Sequence, residues 1–342
     1  MIRVAAFTAG RDIPASRFRV RQYIESVRLS GVELSEFCPT VSAYPPKLRW
    51  ARPLWAAASL AARMPGIVRS YRYDVSLIQR EMLSTFITLE PLTKRPRVLD
   101  VDDAIWLNRS SSFARRLAEI SDSVICGNTF LAEYFRQWNS NITVLATAVD
   151  SDRFAPRISR PASDGPVIGW SGSSSGFADL LIAQDALRIV FRKYPSARLR
   201  VIANEAPHLD LPQRQVEFVQ WSPEAEVESV QTLDVGLMPL RDTLWSRGKC
   251  SYKMLLYMSC GVPVVVSPVG MNSEVLKMGA VGASANTTDD WVGAIENILV
   301  SPQLAGAMGR TGREVVVQNF SLLALAPRLA AELVRVSGRS SS

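Results

Sequence analysis

Histidine is nearly missing from this chain: His208 stands alone in 342 residues. Chemistry that runs on an imidazole base therefore has one residue to use, and none in the first half. Cysteine is scarce too. Cys38, Cys126, Cys250 and Cys260 form no C-x-x-C pair and no metal-ligand spacing, so buried, reduced thiols are expected. No stretch reads as a membrane span: Pro53 to Ala62, apolar and uncharged, lies between Arg52 and Arg63 and is about half the ~20 residues required. Met1 leads straight into a predicted strand, so no secretory signal is expected, and the sequons at Asn108 and Asn141 carry no meaning. A cytoplasmic protein is expected.

What is present is a folding composition. An apolar fraction of 47% and this length suit two domains of ordinary size, with disorder expected only in the tail, 338–342. The net charge of +7 asks for an anionic partner: nucleotide phosphates, nucleic acid or an acidic membrane face. No helix-turn-helix, RNP or zinc pattern accompanies it, so nucleic acid is not expected.

Strands and helices alternate along the chain. Ile2–Phe7 reads as a strand, and its loop contains Gly10 and Pro14. Ser16 is the expected N-cap of a helix running to about Ser30, where Gly31 stops it. Further strands are predicted at Val32–Phe37, Val75–Gln79, Val98–Val101, Ser123–Cys126 and Ile142–Leu145. A polar segment from Asp150 to Gly165, with Pro156 and Pro161, reads as a linker. A second set follows at Val167–Trp170, Arg198–Ala203, Val216–Gln220, Val235–Met238 and Pro263–Ser267. Trp221 is followed by Ser222 and Pro223, an N-cap and first-turn proline for a helix to about Gln231. This order predicts an α/β fold with two doubly wound parallel sheets of Rossmann-like type.

The segment Asp234 to Glu274 carries the most chemistry. A short apolar strand precedes R-D-T-L-W-S-R-G-K-C-S-Y-K, a glycine-bearing basic loop opening a helix that ends at Gly261. Lys249 and Lys253 are expected one helical turn apart at that helix start, beside Arg247. Free N–H groups and two full positive charges there suit a phosphate. The loop Ser171 to Gly176, after the Val167–Trp170 strand, offers Gly172 and Gly176 for close backbone approach and Ser173 for hydrogen bonding.

The run from Gly248 to Glu274 resembles the nucleotide-sugar segment of family 4 type glycosyltransferases with the GT-B fold. S-R-F-R-V-R-Q-Y-I-E-S (16–26), V-L-D-V-D-D-A-I-W (98–106), V-I-C-G-N-T-F-L-A-E-Y (124–134), V-I-G-W-S-G-S (167–173) and M-G-R-T-G-R (308–313) resemble its other landmarks, in its order. The resemblance implies an acceptor-side domain over 1–155 and a nucleotide-sugar domain over 166–318, with the active site in the cleft between them. It also implies a helix over 319–337 that returns to the first domain. It implies a hexosyltransferase-like enzyme that moves a sugar from a nucleotide-diphosphate donor, with retention, to a glycan or lipid-linked acceptor in surface polysaccharide or glycolipid synthesis. No metal and no further cofactor is expected. Lys249, Lys253 and Asp103 are the expected catalytic residues. Gly172, Ser173, Trp221, Arg247, Gly270, Asn272 and Glu274 are assigned to the donor, and Gly10, Arg17, Arg21 and Asp102 to the acceptor side.

The chain departs from that family at one motif. Its paired glutamates, E-x₇-E, fall on Gly248 and Leu256 here, so ribose must be held otherwise, with Glu274 the candidate substitute. A non-catalytic nucleotide- or glycan-binding module and an epimerase-like enzyme are the alternatives, the latter disfavoured by the lack of histidine. Asp100-Val-Asp102-Asp103 has the spacing of a metal-binding D-x-D but lies in the acceptor domain, where acceptor-side or structural carboxylates are expected. Finally, Pro45 to Arg72 interleaves Trp50, Trp55, Leu54 and Leu60 with Lys47, Arg49, Arg52, Arg63 and Arg69, as a helix peripheral to an anionic membrane would.

Overall fold

The computed structural model describes residues 1–11, 13–83, 86–107, 111–157 and 164–338. The Asn108 sequon, residues 158–163 of the expected linker and residues 339–342 of the tail lie outside them. Two six-stranded parallel sheets carry the fold. The first is built from β1 (Ile2–Phe7), β2 (Val32–Phe37), β3 (Val75–Gln79), β4 (Arg97–Val101), β5 (Ser123–Cys126) and β6 (Ile142–Val144), in the order β2-β1-β3-β4-β5-β6. The second holds β7 (Val167–Ser171), β8 (Arg198–Ala203), β9 (Val216–Gln220), β10 (Val235–Met238), β11 (Val264–Val266) and β12 (Gly282–Ser284), in the order β12-β11-β10-β7-β8-β9. Numbered from β7, the second order is 3-2-1-4-5-6, the doubly wound dinucleotide-fold order.

The chain divides into two compact units: residues 1–148, 248–250 and 322–342, and residues 149–247 and 251–321. In the first, the period-two alternation of β1 serves two cores. Val4 and Ala6 pack with Val20, Val27 and Leu77 and with Leu325, Leu329 and Leu333 of the last helix, Leu322–Ser337. Ala5 and Phe7 point the other way, onto Ile67, Ile78 and Met82. In the second unit Ile168, Trp170, Leu199, Val235, Val265 and Trp291 belong to one buried cluster. The central strands of both sheets are buried throughout, and they read as short, largely apolar runs.

The first helix departs from its expected form. It begins at Pro14 rather than after Ser16, with proline in the first turn, and Ser16 is fully buried inside it. The helix breaks at Val20, passes through a tight turn at Arg21–Tyr23 and resumes over Ile24–Arg28. The break turns Arg19 inward. Its Nη2 lies 2.5 Å from Asp100 Oδ1, its Nε donates to Asp100 Oδ2 at 3.0 Å, and its Nη1 donates to the Leu145 carbonyl at 2.8 Å. This buried pair ties the first helix to β4 and to the end of β6.

Removing one partner of such a pair leaves an uncompensated buried charge, at a cost of about 3–5 kcal/mol. Arg19→Met should therefore lower the urea midpoint sharply, and the double variant R19M/D100L should recover much of the loss. Equal midpoints for the parent and R19M would show that the pair contributes nothing.

Candidate functional site

In the second unit, the order β10-β7 marks the point where strand order reverses, and the loops beyond these strands are where such sheets bind ligands. Hydrogen bonds hold the loop after β7 in place. The Ser171 N–H donates to the buried Tyr257 hydroxyl at 2.7 Å, the Ser174 N–H donates to Asn204 Oδ1 at 2.8 Å, and the Ser173 and Ser175 hydroxyls lie 2.7 Å apart. Lys253 reaches this loop. Its Nζ stands 4.1 Å from the centre of the Trp170 ring. A Cβ on Gly172 would come within 2.5 Å of that Nζ and 2.7 Å of the ring, so glycine is what lets the lysine in. Two features expected separately, the glycine-serine loop and the second lysine, thus share one place.

The helix behind Lys253 runs from Tyr252 to Ser259, and Ser251 before it is left-handed, with φ of 50°. This corrects the expected lysine pair. Lys249 lies ahead of the reversal, outside the helix, and belongs with the first unit, where its carbonyl accepts from Asn128 Nδ2 at 3.1 Å. Lys253 belongs with the second. They are not successive turns of one helix.

The other residues assigned to the donor take varied positions. Gly270, with φ of 54°, lies against the chain at Arg247: a Cβ there would come within 2.9 Å of the Arg247 backbone. The Arg247 guanidinium pairs with Asp242, at 2.7 Å from Nε to Oδ1 and 2.9 Å from Nη2 to Oδ2. Asn272 is fully buried and holds the fold: its Oδ1 accepts from the Ser251 hydroxyl at 2.7 Å and its Nδ2 donates to the Ser267 carbonyl at 3.0 Å. Both polar ends are engaged, so the expected donor contact becomes a brace for the helix start. Glu274 is exposed on the short helix Met271–Leu276, and Trp221 is half-buried just past β9. The two positions aligned with the family glutamates have packing reasons for their residues. Leu256 is buried in the core, and a Cβ on Gly248 would sit 2.8 Å from Ala104 Cβ.

In the first unit the carboxylates after β4 are held by arginine. Arg80, just past β3 and left-handed with φ of 58°, lies 2.5 Å from Asp102 Oδ1 through its Nε and pairs with Asp103 through Nη2. Such a backbone costs roughly 1–3 kcal/mol, which the two ion pairs offset. Burial pushes the Asp103 carboxyl up to about 6, with Asp102 adding to the rise and Arg80 and Lys249 opposing it. Asp100 is held by Arg19, so the D-x-D run is engaged with guanidinium groups. Arg21 is engaged as well: it grips Glu36 at 2.8 and 2.9 Å and donates to the Arg11 carbonyl. Arg17 stacks on Phe18, 4.3 Å from the ring centre, and Gly10 lies buried in the loop after β1. His208 is exposed in the loop after β8. Arg80, Asn204 and Tyr257 were not singled out from the sequence. Asn204 directly follows a predicted strand, at the sheet edge where ligand loops begin, and that position was its available signal.

Residues 165–301 match the family model described as Glycosyl transferases group 1. No curated protein matches the chain. Among solved structures, it is similar to the sucrose-phosphate synthase of Thermosynechococcus elongatus, at 16% identity and a TM-score of 0.71 over 98% of both chains. It is likewise similar to a glycosyltransferase from Rickettsia africae, at 13% identity and 0.74 over 99% of both. A third likeness is to HepE of Anabaena, solved with UDP and glucose, at 14% identity and 0.70 over 97% of this chain and 99% of that one. The chain thus shares a fold of two Rossmann-like parallel sheets with these structures, the GT-B fold class, and residues 165–301 are similar to the group 1 glycosyl transferases.

Proposed function

We propose that this protein is a metal-independent hexosyltransferase acting with retention in surface polysaccharide or glycolipid synthesis. The second unit takes a nucleotide-diphosphate sugar, and the first takes the glycan or lipid-linked acceptor. The observation that carries the reading is Lys253 seated on Trp170 at Gly172, beside the glycine-serine loop and a helix start at the strand-order reversal. A diphosphate there meets a fixed cation whose alkyl stem is already ordered by packing.

In the transfer, the bond from the anomeric carbon to the diphosphate oxygen breaks and the acceptor oxygen forms its bond on the same face. The acceptor proton passes to the departing diphosphate oxygen, so no histidine base is needed. Lys253 stabilises the charge that develops on the leaving group. Asp103, whose carboxyl is pushed up by burial, is assigned to orient the acceptor hydroxyl, with Lys249 beside it. Positioning of two substrates can contribute roughly 7–11 kcal/mol. Leu256 and Gly248, where the family places glutamates, favour a second reading as a nucleotide-binding module without turnover. UDP binding without sugar release from any donor in a nucleotide-sugar panel would select that reading.

The long helix Arg52–Ser70 supports a peripheral membrane role in this scheme, with one correction. Arg63 is buried and donates to the Thr8 carbonyl at 3.0 Å, so it is no part of a basic rim. The outer face is nonetheless apolar, with Leu54, Met64 and Val68 exposed, and Trp50 stands out before it. From residue 37 to 73 the chain has six cations and no acid. No helix among the described residues is long and apolar enough to cross a membrane. We place this face on anionic lipid.

Two measurements follow. UDP titrated by calorimetry in EDTA should bind the parent as it does with Mg²⁺ present. Lys253→Ala should lose about 1.5–3 kcal/mol, roughly 10- to 100-fold. Equal affinity of the variant, or binding abolished by EDTA, would remove the phosphate assignment. The parent should also sediment with anionic vesicles at low salt and be released near 1 M salt, where the Debye length falls to about 3 Å. The triple variant K47Q/R49Q/R72Q should stay in the supernatant, whereas sedimentation equal to the parent would make this helix ordinary domain surface.

A further inference from the structure

Among the described residues three arginines of the first unit are buried, and they differ in what they meet. Arg19 has Asp100. Among the described residues the Arg97 guanidinium has no carboxylate in hydrogen-bond contact, yet its Nε and Nη2 donate to the Thr93 hydroxyl and to the Pro91 and Thr93 carbonyls. Arg63, 6% exposed, donates through Nη1 to the Thr8 carbonyl, while its buried Nε has no hydrogen-bond partner. Among the described residues no carboxylate lies within ion-pair distance of it. Glu90 attracts it from farther off, but that carboxylate accepts from the Met82 and Thr88 N–H groups. Glu36, two residues before Cys38, is held by Arg21 and by the Thr8 hydroxyl. A guanidinium taken out of water with one neutral acceptor is an unfinished interaction. Burial accordingly lowers its pKa to about 10.

A pocket lies beside Arg63. Arg63 lines a pocket of about 160 Å³ together with Arg69, Cys38, Phe7, Phe37 and Gly66. Phe7 and Phe37 end β1 and β2, so the pocket lies at the carboxyl edge of the parallel sheet, where such folds take ligands. Gly66 keeps the helix close, since a Cβ there would already sit 3.3 Å from both phenylalanine rings. The lining carries two guanidiniums and no acid. Guanidinium groups recognise oxyanions through paired N–H donors.

We propose that this pocket is an oxyanion site, occupied by a phosphoryl group that Arg63 and Arg69 hold together. Resting on the acceptor assignment above, the group is that of a phosphorylated acceptor, either a lipid phosphate or a soluble sugar phosphate. Two positive charges match the dianion of a phosphomonoester better than a single carboxylate. Arg63 supplies a fixed, buried donor, and the exposed Arg69 closes over the anion from the surface.

Cys38 makes the site readable without any transfer assay. It is half-exposed, whereas Cys126, Cys250 and Cys260 are buried, so a neutral maleimide applied to the native protein reports on this pocket. Inorganic phosphate should slow Cys38 alkylation, with chloride at equal ionic strength having no such effect. Arg69→Gln should raise the phosphate concentration needed by about tenfold, and Arg63→Met should abolish protection. Protection by monomeric short-chain phosphatidate at lower concentration than phosphate identifies a lipid source. Protection by phosphate and sugar phosphate alone identifies a soluble one. Failure of every phosphoryl compound to protect, or equal protection in R69Q and parent, overturns the site. Should Arg63→Met unfold, Arg69→Gln and Arg69→Glu, at an exposed position, decide the matter. UDP calorimetry on the same variants should be unchanged. Absent UDP binding with intact Cys38 protection would overturn the donor assignment alone.

Discussion

A parallel sheet covered on both faces leaves one place for polar chemistry, the loops beyond its carboxyl edge, and both units of this protein obey that constraint. Strands β3, β4, β7 and β10 are buried along their whole length, so no working side chain projects from their middles. Charged and flexible groups gather where these strands end: Arg80 after β3, Asp102 and Asp103 after β4, and the glycine-serine loop after β7. The order of each sheet then selects which of these loops can hold a ligand, and in the second unit the reversal falls between β7 and β10.

Within that frame the two units handle charge differently. In the first, buried or half-buried arginines are matched to oxygen atoms: Arg19 to Asp100, Arg80 to Asp102 and Asp103, Arg97 to two carbonyls and a hydroxyl. These pairs join helix, strand ends and loops, whereas Arg63 has a single carbonyl and a buried Nε with no hydrogen-bond partner. In the second unit the Lys253 ammonium rests on the Trp170 ring. The ring orders the lysine stem by packing.

Much of the scaffold was legible because burial on both faces writes strands as short apolar runs closed by glycine or proline. Gly31 and Gly261 do sit at left-handed positions ending helices, and Ser222 does cap its helix. Local conformation that the residue type does not announce was illegible. Ser251 is left-handed without being glycine, so the helix begins one residue later and Lys249 separates from Lys253. Val20 breaks a helix whose apolar spacing is continuous, and the break carries Arg19 inward while Arg17 and Arg21 stay outside. Arg63 reads as one cation of a basic helix, yet it is buried and lines a pocket with Phe7 and Phe37. Asn272 reads as a ligand contact because it follows a glycine turn, yet Ser251 and Ser267 occupy both its polar ends. Sequence pattern thus located the loops, and three-dimensional partners decided which side chains in them remain available.

The central claim is that a nucleoside diphosphate lies on the loop after β7 beside Lys253. Hydrogen–deuterium exchange with saturating UDP tests it directly, since amides that bind phosphate or lose solvent exchange more slowly. Protection should appear in peptides covering Ser171–Gly176 and the first turn of Tyr252–Ser259. Protection confined to the first unit, or unchanged exchange across both segments at saturating UDP, would contradict the account.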